Sequence, residues 1–297
     1  MSSSCDQQGI RKLVVLMWDH GRFFLSFLTG CSFTWTLLLS CPCSQLTPLH
    51  CCALFNAPPK IAQILMESPF AAKASCITDT NNATPLHLAC ASSTVGDRSD
   101  LVEVLGTKEA AMCIDKKERT PLHVAAENPK CNKQLIKVLA EINPRAAKVE
   151  ASNGRMPFHT AIRKHADEAV LKALLKVYPK AAKTVFDGKN TVLHEACQSK
   201  VSASVIKAIL REAPESAKAK NKFGNIPLHV ATAYQNSMDV IQLLLDVYPG
   251  GCMIQNRNDD VPLYVLIRIR KRWGGLQAYY SFLSQINDCL MVLFFLF

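Results

Sequence analysis

From about residue 46 onward, apolar residues recur in clusters with helical spacing. Val170, Leu171, Leu174, Leu175 and Tyr178 form one stripe, Val205, Ile206, Ile209 and Leu210 a second, and Val240, Ile241, Leu244 and Leu245 a third. Spacing at i, i+1, i+4 and i+5 places these side chains on one face of a helix, so each stripe predicts an amphipathic helix with a buried apolar side. Ahead of each stripe lies a shorter segment of the form Thr-Pro-Leu-His followed by small residues. Threonine is a good N-cap and proline suits the first helical position, so this segment predicts a second, shorter helix. Small residues behind it, such as Ala89 and Cys90 or Ala125 and Ala126, let another helix approach closely.

The short segment recurs along the chain. The run Arg119 to Ala126 has relatives at Leu46–His50, Ala83–Ala89, Arg155–Ala161, Asn190–Ala196 and Asn225–Ala231, with a degraded copy at Asp260–Tyr264. Its proline slot falls at Pro48, Pro85, Pro121, Pro157, Val192, Pro227 and Pro262, in steps of 37, 36, 36, 35, 35 and 35 residues. A fixed period of this size predicts a repeat array in which each unit buries its apolar face only against its neighbours. The Thr-Pro-Leu-His signature and the period resemble the ankyrin repeat, whose short form runs about 33 residues. The resemblance covers 46–270 and implies an all-α repeat solenoid of stacked helix-turn-helix units joined by β-hairpin-like tips. It leaves 1–45 as a non-repeat extension and 271–297 as a hydrophobic tail or cap.

Departures from the pattern carry their own expectations. The cap threonine is replaced by Met156, Ile226 and Val261, which predicts helix starts weaker by about 1 kcal/mol. A proline ends the outer helix at Pro69, Pro144, Pro179, Pro214 and Pro249, with Lys108 in that slot of the second unit. It opens a recurring Pro-x-(Ala/Ser)-Ala-Lys that suits one extra helical turn and explains the lengthened period. The connecting tip of the family calls for aspartate, then a glycine with positive φ. Asp79 and Asp115 keep the aspartate, and Asn221 and Asn256 replace it. Asn82, Glu118 and Asp259 occupy the glycine slot, which predicts less regular tips. Asp187-Gly188-Lys189-Asn190 is one residue out of step.

Composition narrows the function. The chain has 297 residues, 49% hydrophobic and 20% charged, enough for a large packed interior. Thirteen cysteines show no framework spacing, which implies a reducing compartment and a cytoplasmic location. His50, His87, His123, His159, His194 and His229 fill one slot of the motif. The resemblance implies that each bonds locally and bridges to the next unit. Phosphate-binding loops, dinucleotide-binding loops, nucleophile elbows and kinase signatures are absent, and Cys41-x-Cys43 lacks zinc spacing. The expectation is therefore a non-enzyme without cofactor or metal, acting as a monomer.

Such an array offers a surface. By resemblance, the partner-binding candidates on the tips are Asn81, Lys116, Lys117, Arg119, Asn153, Arg155, Lys222, Asn225 and Asn258. On the first helices they are Glu127, Asn128, Arg163, Lys164, Gln198 and Tyr234. The tip cations and the net charge of +10 suggest a partner protein with an acidic segment. Two competing readings remain. A marginal apolar run at 23–40, behind Arg11, Lys12 and Arg22, would make the protein a membrane-tethered adaptor. The net charge alone would suit nucleic acid, which is the weaker reading because the lysines recur once per repeat without aromatic company. Arg268, Arg270, Lys271 and Arg272 precede the apolar end of the tail, Cys289–Phe297, a pairing that suits contact with a membrane surface.

Overall fold

A computed structural model describes residues 14–19, 22–27, 46–67, 71–92, 99–262 and 264–265. Inner helices occupy Pro48–Leu54, Pro85–Ala91, Pro121–Glu127, Pro157–Arg163, Val192–Gln198 and Pro227–Ala233. Outer helices follow at Pro59–Met66, Ser99–Leu105, Lys133–Ile142, Glu168–Val177, Ala203–Glu212 and Met238–Val247. Each inner helix packs on the inner helix of the next unit, and each outer helix on the next outer helix. The result is an all-α solenoid. The seventh unit is described only to Val265.

Outside the array, Val14–Asp19 and Arg22–Phe27 pair as an antiparallel ribbon with Val14 opposite Phe27. Residues 23–27 of the apolar run are thus strand, and 28–40 lie outside the described residues, as do the basic cluster 268–272 and the tail 271–297. Among the described residues, no helix is long and apolar enough to cross a membrane.

The core follows from the motif. Leu86, Leu122, Leu193 and Phe158 are buried, with Ala89, Ala125, Ala161 and Ala196 beneath them where neighbouring helices meet. Ile136, Leu139, Leu171, Leu174, Ile206 and Ile209 line the outer-helix seam. At about 1.5–3 kcal/mol for each large side chain, cohesion comes from the shared faces between units. Cys52, Cys90 and Cys197 are buried in the small-residue slots, and burial raises the Cys197 thiol to about 12.

The motif histidine is the link between units. In the first unit, the Thr47 backbone N–H and hydroxyl meet Nδ1 of His50 at 3.1 and 2.7 Å, while Nε2 donates to the Ala83 carbonyl at 3.0 Å. The same bridge runs from His87 to Arg119, His123 to Arg155, His194 to Asn225 and His229 to Asp260. With Nδ1 accepting and Nε2 donating, the ring is neutral. Burial lowers all six histidines, His123 and His159 to about 4. Because both nitrogens are engaged, this row is structural. The units without threonine keep part of the cap, since the Met156 and Ile226 N–H groups still reach Nδ1 of His159 and His229 at 3.1 and 3.3 Å. Only the hydroxyl is lost there.

The Pro-x-(Ala/Ser)-Ala-Lys insert is a 3-10 turn at Pro144–Lys148, Pro179–Lys183 and Pro214–Lys218. Its small residues, Ala146 and Ala147 or Ala181 and Ala182, are buried. Lys148 and Lys218 lie over the rings of Tyr178 and Tyr248, at 5.6 and 5.4 Å from the centroids. The insert therefore ties each outer helix to the next.

The tips are more regular than the glycine slot predicts. Asn82, Glu118 and Asp259 adopt φ of 57, 56 and 58°, close to Gly154 at 68°. The same bond closes each tip, as in Asp79 N–H to Ala83 O, Asp115 N–H to Arg119 O and Asn256 N–H to Asp260 O. The aspartate slot explains the tolerance. Asp115 Oδ1 accepts from Lys117 and Arg119 N–H, and Asn221 and Asn256 do the same in their tips, so the loop is held from inside.

Candidate functional site

Two successive tips lack that internal brace. Ala151 and Phe186 stand where the others carry aspartate or asparagine. In the second of them, Gly188 and Lys189 are both left-handed, at 73 and 59°, although Phe186 N–H still closes the tip onto Asn190 O at 2.8 Å. The out-of-step glycine is thus absorbed within a closed tip. Freed from the aspartate's role, Phe186 turns its ring edge-on to His159, centroids 4.3 Å apart. His159 then donates to the Thr184 hydroxyl at 2.8 Å instead of to the next tip, and that hydroxyl donates to Ala181 O.

Clefts open on both sides of Phe186. One, of about 460 Å³, is lined by Glu150, Asn153, Gly154, Met156, His159, Thr184 and Val185. The other, of about 370 Å³, lies on the tip and inner-helix side, between Arg155, Arg163, His165, Asn190, Glu195, Gln198, Ser199 and Tyr234. Its floor is the ion pair of Arg155 with Glu195, and the guanidinium stacks 5.1 Å from the Phe186 centroid. Oε1 of Glu195 takes the pair. Oε2 is buried and has no hydrogen-bond partner. The rim is accessible: Arg163, Gln198 and Tyr234 are exposed, Tyr234 by 42%.

This cleft unites four of the candidates read from the sequence, Arg155, Arg163, Gln198 and Tyr234. The others are distributed along the array. Asn81, Lys116, Lys117 and Asn258 are exposed tip residues. Arg119 bonds to Asp115 and Glu127, and Glu127 also meets Lys164 at 2.9 Å. Burial works against the charge on Glu127, yet the Lys164 and Arg119 bonds hold its carboxyl below the usual range. Three candidates have structural partners: Asn128 donates to Cys90 O and Ser92 O, Asn153 braces Arg155 N–H, and Asn225 accepts from His194 and Asn256. Lys222 lies 5.0 Å from the ring of exposed Phe223.

Sequence reasoning missed Phe186, Asn190, Glu195, His165 and Ser199. Two signals were available, a phenylalanine in the aspartate slot and a glutamate at a motif position that elsewhere holds cysteine, valine, leucine or threonine. The tip charges also need correction. Across the six tips, seven basic residues face six acidic ones, so the expected excess of tip cations comes down to a single charge.

Stacked helical hairpins, histidine bridges and hairpin tips define a repeat solenoid. Sequence profiles for ankyrin repeats match residues 49–148, 93–187 and 122–218, and a single-repeat profile matches 223–257. The chain belongs to the ankyrin-repeat family. Among solved structures, it resembles the ankyrin repeat domain of Bcl-3, a member of the IkappaB family, with TM-score 0.56 and 21% identity over 76% of this chain and 98% of that one. It also resembles one chain in the structure of a complex between the Bdellovibrio bacteriovorus endopeptidase Bd0816 and immunity protein Bd3460, with TM-score 0.50 and 18% identity over 63% of this chain and 92% of that one. Both likenesses concern the fold. Comparison with curated protein sequences gives no match.

Proposed function

We propose that this protein is a non-catalytic interaction scaffold that docks a partner protein on the concave, tip-bearing face, centred on the cleft beside Phe186. The fold is typically an interaction module. Similarity to a chain from an enzyme–immunity protein complex is in keeping with a protein partner. The observation that carries the placement is the combination of exposed Tyr234 and Arg163 with a half-buried Arg155–Glu195 pair, of which the buried second carboxylate oxygen lacks a donor. Aromatic and arginine side chains around a desolvated centre are the composition of an interface hot spot. A partner N–H reaching Glu195 Oε2 would satisfy a group whose isolation costs about 1–3 kcal/mol. The test compares partner capture by the wild-type protein with that by Tyr234→Ala/Arg163→Ala, two exposed changes that spare the core. The expected result is an affinity loss of about tenfold or more. Unchanged affinity in the folded double variant would remove the cleft from the interface.

A further inference from the structure

The surplus positive charge lies elsewhere. The outer helices and inserts of the third, fourth and fifth units (133–150, 168–185 and 203–220) carry twelve lysines and arginines against five glutamates, most of the chain's excess of +10. Lys137, Lys172 and Lys207 hold the same helical position in three successive units, and all three are exposed. One turn further on, Lys176 and Arg211 do the same. Little of this charge is neutralised. Lys172 pairs with Glu168 at 2.6 Å and Lys183 approaches Glu215 at 3.9 Å, whereas Lys137, Lys176, Lys207 and Arg211 make no ion pair among the described residues. Lys148 and Lys218 are held in place over their tyrosine rings.

The strip has ends. In the unit before it, the position of Lys137 is held by Glu103, beside Asp100. In the unit after it, the position of Lys207 is held by Gln242, with Asp239 and Asp246 nearby. We propose that this bounded basic ridge is a second docking surface, for a short acidic polypeptide segment, separate from the cleft beside Phe186. A long duplex or a lipid sheet would extend onto the acidic flanks, where like charges repel. None of the large exposed apolar side chains except Val185 belongs to these segments, so bases have no stacking platform and acyl chains no anchor. Ten of the twelve cations are lysines, flexible point charges that match carboxylates spaced along an extended chain without demanding fixed geometry. The proposal does not depend on the reading of the cleft.

The experiment uses the full chain and a fluorescent oligoglutamate peptide, followed by anisotropy at low and moderate salt. Binding should weaken with salt, and Lys137→Glu/Lys172→Glu/Lys207→Glu should lower affinity about tenfold or more. The milder Lys→Gln triple should give a smaller loss in the same direction, and it serves if the Glu triple misfolds. Lys116→Glu/Lys117→Glu on the tips should change affinity less than about twofold. Equal losses from tip and ridge variants, or no binding of the peptide, would overturn the proposal. So would duplex DNA or phosphatidylserine vesicles binding the ridge more tightly than the peptide.

Discussion

His159 Nε2 stands 2.8 Å from the Thr184 hydroxyl, a partner within its own unit, where the five other motif histidines reach the backbone carbonyl that ends the next tip. The exception falls beside Phe186, where the clefts open. One change of residue in the tip, from a braced aspartate to a phenylalanine, therefore accompanies both the altered bridge and the candidate site.

The neutral histidines make the array sensitive to acid. Burial holds His123 and His159 at about 4, against 6.5 for an ordinary histidine. Between those values the unfolded chain binds protons that the folded chain excludes. Their contribution is complete above pH 6.5 and is lost as pH falls toward 4, at about 1.4 kcal/mol per pH unit for each such histidine. Denaturant midpoints measured from pH 7 to pH 5 should fall, and His123→Gln should flatten that dependence. A midpoint constant over this range would contradict the neutral bridge.

Two tip glycines differ in what surrounds them. At Gly154, with φ 68°, a methyl group would meet nothing within 4 Å, so Gly154→Ala should cost only the left-handed backbone, about 1–2 kcal/mol. At Gly224, with φ 76°, the added carbon would sit 2.8 Å from the Arg257 backbone nitrogen. Gly224→Ala should therefore destabilise more than Gly154→Ala in urea unfolding. The reverse order would show that the tips 221–225 and 256–260 are not in contact.

The repeat, the two helices of each unit, the histidine bridge and the small-residue seams could all be read from the sequence, because each is a local preference repeated in phase. Tip regularity could not. Glycine in the turn reads as necessary until the carboxylate of Asp115 is seen holding Glu118 in the left-handed region. The cleft was half legible: Tyr234, Arg163, Gln198 and Arg155 follow from their places on inner helices and tips. Glu195 and Phe186 are neighbours of Arg155 only across a unit boundary, at separations that no local pattern encodes. The charge was misplaced for the same reason, since Arg119 and Arg155 look free until Glu127 and Glu195 are brought against them.

Thiol reactivity should divide by packing. Burial raises Cys131 and Cys197 to about 12, while Cys76, Cys113 and Cys252 are partly exposed. Iodoacetamide on the native protein at neutral pH should leave Cys131 and Cys197 unmodified by mass spectrometry, and both should react in denaturant. Native modification of Cys197 as fast as in denaturant would show that the seam between the fifth unit and its neighbours opens freely.

The central claim is that a partner docks on the inner-helix side from the fourth to the sixth unit, across the cleft beside Phe186. The most direct measurement is photo-crosslinking from a benzoylphenylalanine placed at position 234, on the cleft rim, compared with one at position 242, on an outer helix. The account predicts a crosslink to the partner from 234 and none from 242. Crosslinking from 242 with none from 234 would contradict it.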